Sequence, residues 1–339
     1  MPYRTLLTGG SGFIATHILE TLLKSGHSVV TTVRSQEKAD RIQSAFSQYV
    51  DSNSLSFAIV PDIAAAGAFD AAVVSDPPFD LVLHTASPFH FNTKDSQKDL
   101  LDPAINGTTG ILKAIAKSAP HVKRVVITSS FAAIVDAAGK PAGYVYSEKD
   151  WNPITAEQAV ANAGFGYRAS KTFAERAAWE FVAKEKPGFD LVTINPPLVF
   201  GPVIHHLSSL SSLNTSNELL RDIIQGKYQA EGLPRAGVFF WVDVRDLADA
   251  HVHAAERKEA GGKRFFVTAG DYSNEEVGRI VQENFSEYKD KVGDLSKAGY
   301  GEGRPKFDNK QSLEVLGIKY RTLEESIVDT VKSLKDIPA

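Results

Sequence analysis

Cysteine is absent from this 339-residue chain. Disulfides, thiolate nucleophiles and cysteine-ligated metals are therefore excluded, and a reducing compartment is permitted. Charge of one sign is also missing: 37 Lys and Arg stand against 41 Asp and Glu, a formal net charge of -4 with no long basic block. Nothing in that balance suits a nucleic-acid groove or an anionic membrane surface. No apolar run approaches the length needed to cross a bilayer, and no internal repeat is present. A strand pattern begins within three residues of Met1, leaving no room for a signal or transit peptide. The expectation is a soluble, cytoplasmic protein, long enough for one large domain or for a nucleotide-binding domain with a smaller companion.

What is present is organised around Tyr3 to Arg34. Tyr3 to Thr8 is mostly apolar without a helical period and runs into Gly9, Gly10, Ser11 and Gly12, as a buried parallel strand ending in a tight turn would. From there Phe13, Ile14, Ile18, Leu22 and Leu23 recur at helical spacing until Gly26, and Ser28 to Val33 is rich in Val and Thr. Strand, glycine turn, helix and strand within about thirty residues form one βαβ unit. Its G-x-x-G-x-x-A pattern has a mechanical meaning: Gly9 turns the chain, Gly12 admits a pyrophosphate to the helix N-terminus, and Ala15 keeps helix and strand close. An acidic residue about twenty positions beyond the glycines would mark NAD. The strand instead ends at Arg34, with Lys38 four residues on, two cations suited to a 2′-phosphate; the expected cofactor is NADP(H).

Further strands are expected at Leu55–Val60, Phe79–His84, Lys123–Thr128 and Asp190–Asn195, with helices at Ser35–Tyr49, Asp95–Ser118 and Phe165–Val182. That alternation gives an α/β fold with a doubly wound parallel sheet. Residues 1–202 form the nucleotide-binding domain and 203–339 most of a smaller C-terminal substrate lobe, with strands near 238–242 and 263–267 returning to the main sheet. Ser208 to Ser216 reads as a mobile loop. Ligands of such sheets bind at carboxyl strand ends, which adds Gly10, Ser11, Thr85, Ala86, Ser87, Thr128 and Pro196 to the candidate cofactor contacts. Asp62, after the third strand, could accept from an adenine amino group or cap the next segment.

Tyr167 and Lys171 lie four apart on an expected helix and share one face. A tyrosine of pKa about 10 is a poor acid or base at neutral pH, and an adjacent ammonium lowers that value. Lys171 can also hold ribose hydroxyls, and Ser130 can orient a carbonyl. His205, His206, His251 and His253 lack the spacing of a metal site. Trp179 and Phe181 read as core, and Glu148, Lys149 and Asp150 as a solvated loop.

TGGSGFIA, TSS at Thr128 to Ser130 and YRASK resemble the extended short-chain dehydrogenase/reductase family over nearly the whole chain. HTASPF, DWNP, NPPLVFGP, LNTS and WVDVRDLADAH are similar to its fungal branch of NADPH-dependent methylglyoxal, aldehyde and ketone reductases, relatives of dihydroflavonol reductases. The resemblance implies a Rossmann-type sheet, Ser130, Tyr167 and Lys171 as catalytic residues with Tyr167 as proton donor, and cofactor contacts from Gly9, Gly12, Phe13, Ile14, Arg34, Lys38, Asp62, Ile63, Val199 and Ser216. It places a small carbonyl substrate near Phe89, Phe131 and Leu198. Leu198 stands where the methylglyoxal reductase type has a tyrosine, which leaves the pocket more apolar. Two other functions fit the scaffold: a nucleotide-sugar epimerase or dehydratase, and a regulatory protein that senses NADP without turnover. Arg34 and the apolar stretch 196–202 argue against the first, and the intact Ser, Tyr and Lys set against the second.

Overall fold

The computed structural model describes residues 2–87, 95–136, 138–141, 143–161, 163–300 and 306–338. The chain opens with β1 (Arg4–Thr8), α1 (Phe13–Lys24), β2 (Ser28–Val33), α2 (Gln36–Ala45), α3 (Ser47–Asp51), β3 (Leu55–Ile59), β4 (Leu81–His84), α4 (Asp102–Ser118) and β5 (Arg124–Thr128). It continues through β6 (Val145–Tyr146), α5 (Ala156–Ala161), α6 (Ala163–Glu185), β7 (Asp190–Asn195), β8 (Leu198–Phe200), α7 (Thr215–Ile224), β9 (Phe240–Asp243), α8 (Val244–Glu256) and β10 (Arg264–Phe266). The remainder is β11 (Gly270–Asp271), α9 (Asn274–Asn284), β12 (Lys306–Phe307), α10 (Lys310–Val315) and α11 (Leu323–Leu334).

Seven strands form one parallel sheet in the order β10-β7-β5-β4-β1-β2-β3. β1, β4 and β5 are buried almost throughout, as strands covered on both faces must be. α1 and α8 cover one face and α4 and α6 the other, each layer closing its own apolar cluster. The order reverses between β1 and β4, and a crevice opens there beyond their carboxyl ends, where such sheets bind ligands.

Gly9 has φ +78, the left-handed conformation its turn requires. Gly10 is needed for a different reason: a Cβ there would lie 2.0 Å from Thr31 Oγ1 on β2. Gly10→Ala is expected to destabilise the fold by about 1–3 kcal/mol through overpacking. Thr31→Ala in the same chain should recover part of that loss, as a urea unfolding series on the two single variants and the double variant would reveal.

The smaller lobe packs α7, α9 and α11 around Phe200, Trp241, Tyr272 and Ile327. α9 and α11 each begin with a capping box, Ser273 with Glu276 and Thr322 with Glu325. Of the two late strands expected in the main sheet, β10 joins it, whereas β9 pairs with β8 and β11 in a separate three-stranded sheet. Residues 208–216 are not a featureless loop: Leu210 and Leu213 are buried in the smaller lobe and α7 starts at Thr215. The expected single helix over 35–49 is two, α2 and α3, divided at Phe46.

Candidate active site

The crevice holds a cavity of about 420 Å³, within the range of small-molecule sites. Gly9, Gly12, Phe13 and Ile14 form its floor, and Thr85, Ser87 and Thr128 bring in the ends of β4 and β5. Ser130, Tyr167 and Lys171 make one wall, and Pro196, Val199 and Ser216 the wall shared with the smaller lobe. Ser216 is anchored by Val199 N–H, which donates to its Oγ at 3.2 Å. α1 has no side-chain cap, so its first backbone N–H groups remain open to an anion, and a side chain at Gly12 would find only Gly9 O nearby, at 3.3 Å. These features fit a dinucleotide whose pyrophosphate rests on the glycine turn.

Not every candidate lies on this cavity. Gly10 faces Thr31, and Ala86 lines a separate small void behind Ser87. Arg34 is exposed on the connection before α2 rather than on the helix with Lys38, and among the described residues neither forms an ion pair. Ser11 and Lys38 line a second cavity next to the first. Asp62 is exposed and accepts from Ala64 N–H at 2.9 Å, while Ile63 packs against Gly107. Phe131 is a core residue, stacked on Phe266 at 5.0 Å and set edge-on to Phe240 and Tyr146. Leu198 is half-buried against the smaller lobe's core, and Phe89 lies outside the described residues.

Ser130 and Tyr167 are hydrogen-bonded to one another through their side chains. Ser130 Oγ also accepts from Ala132 N–H at 3.1 Å, capping a short 3-10 turn, which leaves the hydroxyl proton available to donate. Burial raises the Tyr167 pKa above its ordinary value, and the Ser130 bond offsets this in part. That corrects the expectation of a lowered value. The reason is that the phenol is enclosed, with the Ser130 bond the counterweight, while the Lys171 ammonium donates to Ser87 Oγ at 3.0 Å. Burial pushes Lys171 down to about 8, against support from the Glu175 carboxylate.

Glu175 is a residue that the sequence reasoning passed over. It continues the Tyr167 and Lys171 face of α6 by another four residues, and its side chain is almost wholly buried. It accepts from Ser129 Oγ at 2.5 Å, Thr193 Oγ1 at 3.0 Å, Asn195 Nδ2 at 2.7 Å and Arg264 Nε at 2.6 Å. Asn195 Nδ2 donates also to Ser130 O, so the carboxylate ties α6 to the strand end that carries Ser130. Arg264 stacks 3.6 Å over the Trp151 ring and donates to the carbonyls of Glu148 and Asp150, so that loop is structured from behind rather than simply solvated. The spacing Tyr167, Lys171, Glu175 was the available signal.

Behind Lys171, His84 Nδ1 meets Thr8 Oγ1 at 2.9 Å while its Nε2 faces no partner. Burial and the nearby Lys171 charge push His84 down to about 3, so it is neutral. A void of about 20 Å³ bounded by His84, Thr108, Lys171 and Glu175 has room for one water. His251 is a core residue, bonded to Thr128 Oγ1 at 2.7 Å and Leu247 O at 2.7 Å.

Residues 5–269 match the NAD dependent epimerase/dehydratase family. The chain is 47% identical over 337 residues to the ketoreductase azaE of Aspergillus niger, covering 98% of this chain and 97% of that protein. It is 38% identical over 337 residues to the NADPH-dependent methylglyoxal reductase GRE2 of Saccharomyces cerevisiae, covering 97% of each. The crystal structure of yeast methylglyoxal/isovaleraldehyde reductase Gre2 complexed with NADPH superposes with a TM-score of 0.90, at 37% identity over 98% of both chains.

Proposed function

This chain belongs to the NAD dependent epimerase/dehydratase family, in its extended short-chain dehydrogenase/reductase group, and we propose that it reduces aldehydes and ketones to alcohols with NADPH. The observation that carries this is the convergence of Ser130, Tyr167 and Lys171 on one cavity at the crevice of the sheet, with Tyr167 bonded to Ser130.

Bound NADPH supplies the hydride. Ser130, with one of its lone pairs occupied by Ala132 N–H, donates its proton to the substrate's carbonyl oxygen and holds that oxygen beside the phenol. Tyr167, kept protonated by burial, delivers a proton to the same oxygen as negative charge develops there. The Lys171 ammonium stabilises the phenolate left behind and offers its remaining donors to ribose hydroxyls. Pro197, Val199 and Leu213 make the lobe-side wall largely apolar, which suits an aromatic or branched ketone better than methylglyoxal. Among the described residues Lys171 is the only cation lining this cavity, so no pair of cations awaits a sugar diphosphate.

NADPH absorbance followed with methylglyoxal, a bulky aromatic ketone and a β-keto ester tests the proposal. Turnover with a higher kcat/KM for the last two is expected, and no turnover on any carbonyl overturns it. The pH dependence is expected to follow Lys171. Its charge is lost as pH rises through about 8, well below the usual lysine range, so kcat/KM for reduction should fall there. A profile that stays level well above that value would contradict the role given to the ammonium.

A further inference from the structure

Beside the reaction cavity lies a second one of about 410 Å³, between the glycine turn, α2 and the loop at the start of the smaller lobe. The two share Gly12, Phe13 and Asn214, so they are adjoining compartments. The second is cationic through Lys38 and Arg41 of α2, His205 and His206 of the loop add two imidazoles, and among the described residues no carboxylate lines it. Arg41 is partly neutralised by Glu37, at 2.5 Å on the outer side of the helix. The His205 ring lies 6.0 Å from that of Phe13 and makes no hydrogen bond among the described residues; its Nδ1 is buried without a partner. A half-buried imidazole whose Nδ1 has no partner, in a cavity with Lys38 and Arg41 that adjoins a dinucleotide cradle, fits an anionic ligand.

We propose that His205 is a phosphate-binding residue contributed by the smaller lobe, pairing with the adenosine 2′-phosphate of NADPH opposite Lys38. This deepens the NADPH reading and rests on it. The cations that α2 brings to the cavity, Lys38 and Arg41, thereby gain a third group from the other side, which ties the position of the lobe to the presence of that phosphate.

The pairing has a proton linkage. In the free protein burial pushes His205 down to about 4, and His206, His17 from α1 and Lys38 from α2 act in the same direction. Arg41, paired with Glu37, also lines the cavity. His205 is therefore neutral at neutral pH. A phosphate dianion beside it favours the imidazolium, so its folded pKa rises on binding and a proton is taken up from solvent.

Calorimetric titration at neutral pH in buffers of different ionisation enthalpy reads that proton directly. The ligands are NADPH, 2′,5′-ADP, NADH, 5′-ADP and inorganic phosphate, with wild type, His205→Asn and His205→Gln. Wild type should take up more protons per NADPH or 2′,5′-ADP than either variant, and both variants should bind these ligands roughly tenfold or more weakly. NADH and 5′-ADP, which lack the 2′-phosphate, should show no difference among the three proteins. Equal uptake in wild type and both variants overturns the assignment alone, as does an equal loss of affinity for NADH. Inorganic phosphate competing as tightly as 2′,5′-ADP would reassign the cavity to free phosphate and overturn it too. Failure of wild type to bind either 2′-phosphorylated ligand overturns both this proposal and the NADPH reading.

Discussion

Tyr167→Phe is expected to lower kcat for carbonyl reduction by about 10²–10⁴-fold, the usual contribution of a positioned general acid. The variant removes one oxygen from a buried ring, so Ser130 keeps its bond from Ala132 N–H and the cavity keeps its shape. NADPH should still bind, because Gly12, Lys171 and Ser216 are untouched. Single-turnover NADPH oxidation together with a fluorescence titration of cofactor binding checks both halves. Loss of binding together with turnover would mean that the phenol holds the cofactor and not the proton. Unchanged turnover would remove Tyr167 from the reaction altogether.

Glu175→Ala is expected to have the largest effect on stability, about 3–5 kcal/mol, because it strands a buried charge. Arg264 would lose its carboxylate while remaining enclosed, and Ser129, Thr193 and Asn195 would lose their acceptor. Urea unfolding of the variant beside wild type gives the number. The double replacement Glu175→Met with Arg264→Met should be less damaging than the single one, since an apolar pair needs no compensation. A loss below about 1 kcal/mol for Glu175→Ala would show that the carboxylate contributes little more than an exposed ion pair.

Much of this was legible in the sequence because buried parallel strands and amphipathic helices write their periods into the chain. The β1–α1–β2 unit, the strands ending at His84, Thr128 and Asn195, and the long helix of Tyr167 all lie where the patterns put them. What escaped depends on contacts distant in sequence. The choice of β9 to pair with β8 rather than enter the large sheet is set by packing in the smaller lobe. The family resemblance set Phe131 beside the substrate, yet Phe240 and Phe266, more than a hundred residues later, enclose it. Glu175 went unread because a glutamate on a helix normally faces water, and the groups that make its burial tolerable, Arg264 with Ser129, Thr193 and Asn195, are distant in sequence. The raised Tyr167 pKa has a similar origin: spacing puts Tyr167 and Lys171 on one face, but how deeply the phenol is buried depends on the packing of distant elements.

The most direct measurement of the reductase proposal uses NADPH carrying deuterium on the transferred position of its nicotinamide, a bulky aromatic ketone and the wild-type protein. Hydride transfer to a carbonyl predicts one alcohol per NADP+ formed, with deuterium bonded to the carbinol carbon. Deuterium retained in the cofactor, with no alcohol formed, would contradict it.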